Sequence, residues 1–121
     1  MSTRAQIRFA TREDGVSFSE HPKKINAQFY VHSDGYPEGL GIEIAESYEH
    51  HGKVKDWELE DLCTEHGDLE YIYYIWQVSG KATWISIFEV KPFQDQVGEC
   101  IFVGTPYILI ERYKLNTNKD I

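Results

Sequence analysis

Phe29-Tyr30-Val31-His32-Ser33-Asp34-Gly35-Tyr36-Pro37-Glu38-Gly39-Leu40-Gly41 is the stretch on which the reading of the fold turns. Just upstream, Ile25, Ala27, Phe29 and Val31 alternate with Asn26, Gln28, Tyr30 and His32, which is the period of a strand. Just downstream, Leu40, Ile44, Ala45 and Tyr48 form one stripe at helical spacing. Between them stand Asp34, Gly35, Pro37, Gly39 and Gly41, residues that turn chains. A strand therefore passes through a tight joint into a helix, expected to run about four turns and to stop at Gly52.

Working back from the joint, Ala5, Ile7 and Phe9 alternate with Arg4, Gln6 and Arg8, as in a half-buried first strand. Arg12-Glu13-Asp14-Gly15 reads as a hairpin turn, with Val16, Phe18 and Glu20 as a short return strand that ends at Pro22. Working forward, Asp56 reads as the N-cap of a second, shorter helix. Leu59, Leu62, Cys63 and His66 would be its buried face and Gly67 its end. Leu69 to Val78 is apolar or aromatic on both faces, so it is expected to be a central strand covered on both sides. Ser79-Gly80-Lys81 then turns the chain into a strand from Ala82 to Val90. Phe93 to Gly98 reads as a loop and Glu99 to Val103 as the next strand. Thr105 and Pro106 are a helix start, N-cap followed by N1, for a helix over Tyr107 to Leu115, with strand as the alternative for Tyr107 to Ile110.

Two blocks of strands with helices between them make an α+β fold. The expectation is a single domain over residues 1–115, a mainly antiparallel sheet of about five strands packed by two or three helices, and a flexible tail at 116–121. A chain of 121 residues can bury its own core without disulfides or metal. Cys63 and Cys100 are the only cysteines, too few for a disulfide framework, and read as reduced, buried thiols. A net charge of −8 argues against non-specific binding to nucleic acid or to anionic membranes. No apolar run is long enough to cross a bilayer, and the N-terminus has no signal-peptide core. A cytoplasmic location is expected. The aromatic surplus, densest over Glu70 to Trp84, exceeds what one face of a small sheet needs and suggests a homodimer.

Functional candidates gather around the joint. A strand running through glycines into a helix start offers backbone N–H groups to an anion, and Gly39 and Gly41 would let a ligand come close. The plainer alternative is a structural joint, since Asp34 and Glu38 repel phosphate. Arg4 and Arg8 share a face of the first strand, and an antiparallel neighbour would set Tyr30 and His32 beside them. Guanidinium forks next to aromatic rings suit a nucleotide-like anion. The plainer alternative here is pairing of both arginines with the abundant carboxylates. The residues chosen as ligand-binding are Arg4, Arg8, Tyr30, His32, Asp34, Tyr36, Gly39 and Gly41. His32 and Asp34, two apart on a strand, could also meet as an acid–base pair. None of the usual nucleophile-elbow, phosphate-loop or metalloprotease motifs occurs. The histidines and cysteines do not make a four-ligand set, so neither a metal nor a cofactor is expected.

Ser2, Thr3, Arg4 and Ala5, followed by His32, Asp34, Gly35, Tyr36, Pro37, Gly39 and Gly41, resemble a family of small phage and prophage proteins of unsettled function. In that family a Ser-Thr-Arg-Ser/Ala segment leads into a strand, and a His-x-Asp-Gly-Tyr-Pro-x-Gly-x-Gly segment leads into a helix. The likeness covers the chain up to about residue 50. Ser33 stands where the family usually has Trp. The resemblance implies a phage or mobile-element origin and carries no activity with it. The function expected is a non-catalytic binding protein that sequesters a small anionic ligand or a host protein, as in counter-defence. The alternatives are a small hydrolase or nuclease using His32 and Asp34, and an inhibitor whose acidic face, Glu43 to Glu65, mimics DNA.

Overall fold

The computed structural model describes residues 3–13, 15–77 and 82–118, and side chains as far as residue 114. The strands are β1 (Ala5–Thr11), β2 (Ile25–Val31), β3 (Trp57–Glu60), β4 (Tyr71–Gln77), β5 (Trp84–Lys91) and β6 (Asp95–Gly104). The helices are α1 (Ile42–Glu49), entered through a π-helical turn at Pro37–Gly41, and α2 (Pro106–Asn118). The strands form one sheet in the order β3-β2-β1-β4-β5-β6. Every neighbouring pair is antiparallel except β1 with β4. The fold is α+β, with one strand more than expected.

The parallel pair requires the chain to cross the sheet between β3 and β4. It does so through residues 61–70, which pass over β2 and β1 on the face opposite the helices. There His66 stacks on Tyr30 of β2 with ring centroids 3.9 Å apart, and the backbone N–H of Glu70 donates to the Arg4 carbonyl at 2.9 Å. The sheet is thus buried on both sides. On the helix side, Ala5, Ile7, Val31, Tyr73, Ile75, Ile85 and Ile87 pack against Leu40, Ile44, Ala45 and Leu109. On the other side, Ala10, Tyr30, Ile72, Tyr74, Trp76 and Phe88 pack beneath Val16, Phe18 and Leu69 from the two covering loops. This accounts for β4, whose Tyr73 and Ile75 serve one core while Ile72, Tyr74 and Trp76 serve the other. The aromatics of the Glu70–Trp84 stretch go largely into these interiors: Tyr73, Tyr74 and Trp76 are buried.

Several expectations are corrected. The second helix does not form. Asp56 has a left-handed φ of 57°, unlike an N-cap, and Trp57–Glu60 pairs as a strand with β2. Alternation there competed with helical spacing over very few residues, and the free edge of β2 decided it. Trp57 is held by its Nε1–H, which donates to Glu43 of α1 at 2.5 Å. Leu59, Leu62 and Cys63, expected inside, are exposed. Cys100 is half-buried, and both thiols are free.

The return strand over Val16 to Glu20 is a loop. It lies across the sheet instead of beside it, with Phe18 stacked on Trp84 at 5.0 Å and Ser86 Oγ donating to its carbonyl. Of the turn expected over Arg12 to Gly15, Asp14 lies outside the described residues, while Gly15 has a left-handed φ of 85° and the Val16 N–H donates to the Glu13 carbonyl at 3.1 Å; the turn expected at Ser79 to Lys81 lies outside them entirely. The long helix is shorter than expected. It ends at Glu49, with the N–H of Gly52 donating to the Glu46 carbonyl at 3.0 Å and His51, not the glycine, in the left-handed position. Tyr48, placed on its buried stripe, is 42% exposed. β6 starts at Asp95, so most of the expected Phe93–Gly98 loop is strand. α2 starts as expected, with Thr105 Oγ1 accepting from the Ile108 N–H at 3.4 Å, and runs past Leu115 to Asn118.

Candidate functional site

The face opposite the helices carries a connected set of polar side chains under the two covering loops. Alternation along β1 puts Arg4, Gln6 and Arg8 on this side, because Ala5 and Ile7 fill the helix-side core. Arg8 Nε donates to Gln6 Oε1 at 2.8 Å and its Nη1 donates to the Tyr74 hydroxyl oxygen at 2.7 Å. The guanidinium also lies 5.5 Å from the Tyr74 ring centre. Both acceptors are neutral, and among the described residues Arg8 makes no ion pair. Gln6 in turn donates to Glu60 at 3.0 Å, a carboxylate that also bonds His66.

The Tyr74 hydroxyl, besides accepting from Arg8, lies 2.6 Å from His21 Nδ1, while His21 Nε2 lies 2.7 Å from the Val97 carbonyl. A carbonyl only accepts, so the neutral ring carries its proton on Nε2, and Nδ1 accepts from Tyr74. Burial holds His21 below the usual histidine range, with Arg8 pushing the same way against the Val97 bond. Burial likewise raises Tyr74, opposed by Arg8. The group is a one-directional chain from Arg8 through Tyr74 and His21 to the backbone of β6. Beside it opens a cleft of about 440 Å³ lined by Arg8, His66, Gly67, Ile72, Gln96 and Val97, with Glu65 and Leu69 completing it.

Arg4 and Tyr30 converge a few residues away on one carboxylate. Arg4 Nη1 and the Tyr30 hydroxyl both donate to Asp68 Oδ2, at 2.7 and 2.8 Å. Burial pulls Asp68 upward, but the bonds from Arg4 and Tyr30 outweigh it and leave the carboxyl below its usual range. Tyr30, buried and facing that carboxylate, is pushed up to about 12. His32 packs edge-on to Tyr30 at 4.6 Å and bonds Glu58 at 3.0 Å.

The remaining candidates lie elsewhere. Asp34, at φ 57°, accepts from the Tyr36 hydroxyl at 3.5 Å and bonds through its carbonyl to Leu40. The N–H groups of Gly39 and Leu40 are taken by Tyr36 and Asp34 carbonyls at 3.0 Å. Gly35 explains the joint best. A Cβ there would sit 2.7 Å from Ala5 Cβ, and its carbonyl accepts from the buried Tyr73 hydroxyl at 2.6 Å. Asp34 and Gly39 border a smaller hollow of about 200 Å³ with Lys55 and Asp56. A Cβ at Gly41 would meet Leu109 and Tyr73 only at ordinary contact distances, 3.5 and 3.6 Å.

The structure thus divides the eight residues in two. Arg4, Arg8, Tyr30 and His32 share the helix-free face, while Asp34, Tyr36, Gly39 and Gly41 build the strand-to-helix joint. His32 and Asp34 each take a different partner. Gln6, His21, Glu60, His66, Asp68 and Tyr74 were missed as members of the polar set. Gln6 had a signal, a polar residue between two apolar neighbours on a strand; His21, in a loop, had none.

No protein-family model, curated protein or solved structure matches this chain.

Among the described residues no group of three or more His, Cys, Asp or Glu side chains is arranged to hold a metal ion, and no helix is long and apolar enough to cross a membrane.

Proposed function

We propose that this is a non-catalytic binding protein of a phage or mobile element, and that it sequesters a small anionic, nucleotide-like ligand in the cleft beside Arg8. The observation that carries the reading is the state of Arg8. It is half-buried, fixed in place by two neutral oxygens, and has no carboxylate partner among the described residues. A guanidinium has five N–H donors, and the two bonds to Gln6 and Tyr74 leave others for a ligand. In a chain this acidic, a half-buried cation without a counter-charge is a ready site for an anion. Arg4 has Asp68 already and stands second.

The test is titration calorimetry with a panel of mononucleotides and cyclic dinucleotides, followed by recovery of the ligand. Stoichiometric binding with intact ligand is expected. Arg8→Gln should weaken it roughly tenfold to a hundredfold, the worth of charge-assisted hydrogen bonds, in a variant that still unfolds cooperatively although it loses the Arg8 bonds to Gln6 and Tyr74. Binding that ignores Arg8→Gln would overturn the site. Turnover of the ligand would overturn the non-catalytic reading.

A further inference from the structure

β3 is the outermost strand on its side of the sheet. Its backbone pairs with β2, and among the described residues it makes no other backbone hydrogen bond. A row of free donors and acceptors of this kind is a template for another strand. The strand's two faces differ in chemistry. Trp57 and Leu59 lie on the helix side with Phe29, whose ring is 5.8 Å from that of Trp57, and Leu59 is 73% exposed. Glu58 lies on the opposite face with its side chain 61% exposed, and Asp61 just beyond the strand is exposed as well. Over residues 53–65 five acids stand against two lysines.

We propose that β3 is a docking edge for an extended segment of a partner protein in which apolar residues alternate with Lys or Arg. Added as a seventh strand, such a segment would lay its apolar side chains against Leu59 and Trp57. Its basic side chains would fall on the other face, beside Glu58, with the exposed Asp61 adding negative charge just past the end of the strand. Charge selects this occupant over a second copy of the chain. Antiparallel self-pairing about a two-fold axis keeps each residue on its own face. It would therefore set Glu58 opposite Glu58, or opposite Glu60, and like charges directly across a ladder destabilise it. The inference is independent of the cleft beside Arg8.

The probe is a synthetic heptapeptide of alternating Lys and Ile or Val, titrated into isotope-labelled protein and followed by NMR. The expected result is perturbation of the Trp57–Glu60 amides and slowed exchange of those on the free edge. A peptide of the same composition with its alternation scrambled should bind roughly tenfold more weakly, since only alternation presents both faces correctly. Glu58→Lys should weaken the alternating peptide roughly fivefold. Leu59→Asp, at a solvent-exposed position, tests the apolar face without touching the core. Equal binding of the scrambled peptide, perturbation centred away from β3, or no binding would overturn the proposal. So would dimerisation that Leu59→Asp abolishes.

Discussion

Tyr74 donates its hydroxyl hydrogen to His21 Nδ1 across 2.6 Å, and so ties the middle of the central strand to a loop that covers it. Protonation would reverse the bond: the Tyr74 oxygen, which already accepts from Arg8, would have to accept from Nδ1 as well, and the imidazolium would stand in a buried site beside the Arg8 cation. Burial already keeps His21 below its usual value. A group whose folded value is depressed stabilises the fold above the unfolded value of about 6.5 and loses that contribution as pH falls through it. Unfolding by urea at about pH 7.5 and about pH 5.5 should show a loss of stability on acidification that is smaller in His21→Gln. An equal loss in both proteins would dismiss the role of His21.

Tyr30 works in the opposite direction. Its folded value is raised to about 12, so its contribution is complete below the unfolded value of about 10 and disappears as pH rises from there toward 12. Tyr30→Phe should cost about 1 kcal/mol near neutral pH, through the lost bond to Asp68. The gap between the two proteins should close as pH climbs beyond about 11. Denaturation midpoints across that range are the measurement.

Tyr73 and Tyr71 make a controlled pair. The Tyr73 hydroxyl is buried and bonds the Gly35 carbonyl at 2.6 Å, whereas Tyr71 reaches Glu89 at 3.5 Å at the surface. Tyr73→Phe strands a carbonyl inside the protein and should cost about 1–3 kcal/mol. Tyr71→Phe should stay within about 0.5 kcal/mol of wild type. Comparable losses would mean that the Tyr73 bond is not what anchors the joint.

The glycines of the joint should separate by space. Gly35→Ala forces a Cβ to 2.7 Å from Ala5 Cβ and 2.9 Å from the Thr3 carbonyl, and should destabilise by about 1–3 kcal/mol. Gly41→Ala meets nothing closer than 3.5 Å, sits at a helical φ of −58°, and should be neutral or stabilising by up to about 1 kcal/mol. Thermal melts of the two variants decide it; a Gly41→Ala loss matching that of Gly35→Ala would refute the packing account.

Much of the architecture was legible in the chain. Alternation at Ala5, Ile7 and Phe9 and at Ile25 to Val31 marks two strands, the change of period after Val31 marks the joint, and Thr105-Pro106 marks the last helix. Leu69 to Val78, apolar on both faces, announces a strand covered on both sides. These signals are local, since a strand or helix writes its period into the residues that form it. For the candidate site, β1 periodicity sufficed to put Arg4 and Arg8 on one face; that Tyr30 stands across from Gln6 between them depends on the antiparallel pairing with β2.

What covers the second face of the sheet was decided only by the tertiary structure. Segments 15–24 and 61–70 carry only short runs that imitate a period, Val16 with Phe18 and Leu62-Cys63 with His66, and the folded chain uses neither, because loops lying across a sheet are held by single long-range contacts such as His21 to Tyr74 and His66 to Tyr30. The same holds for Trp57–Glu60, where the free edge of β2 made a strand out of a sequence with helical spacing. Whether Arg4 or Arg8 keeps an unpaired charge could not be read from the sequence either. It depends on Asp68 arriving beside Arg4 and on neutral oxygens, rather than a carboxylate, arriving beside Arg8. Periodicity records which face a side chain takes; only the folded chain determines what it meets there.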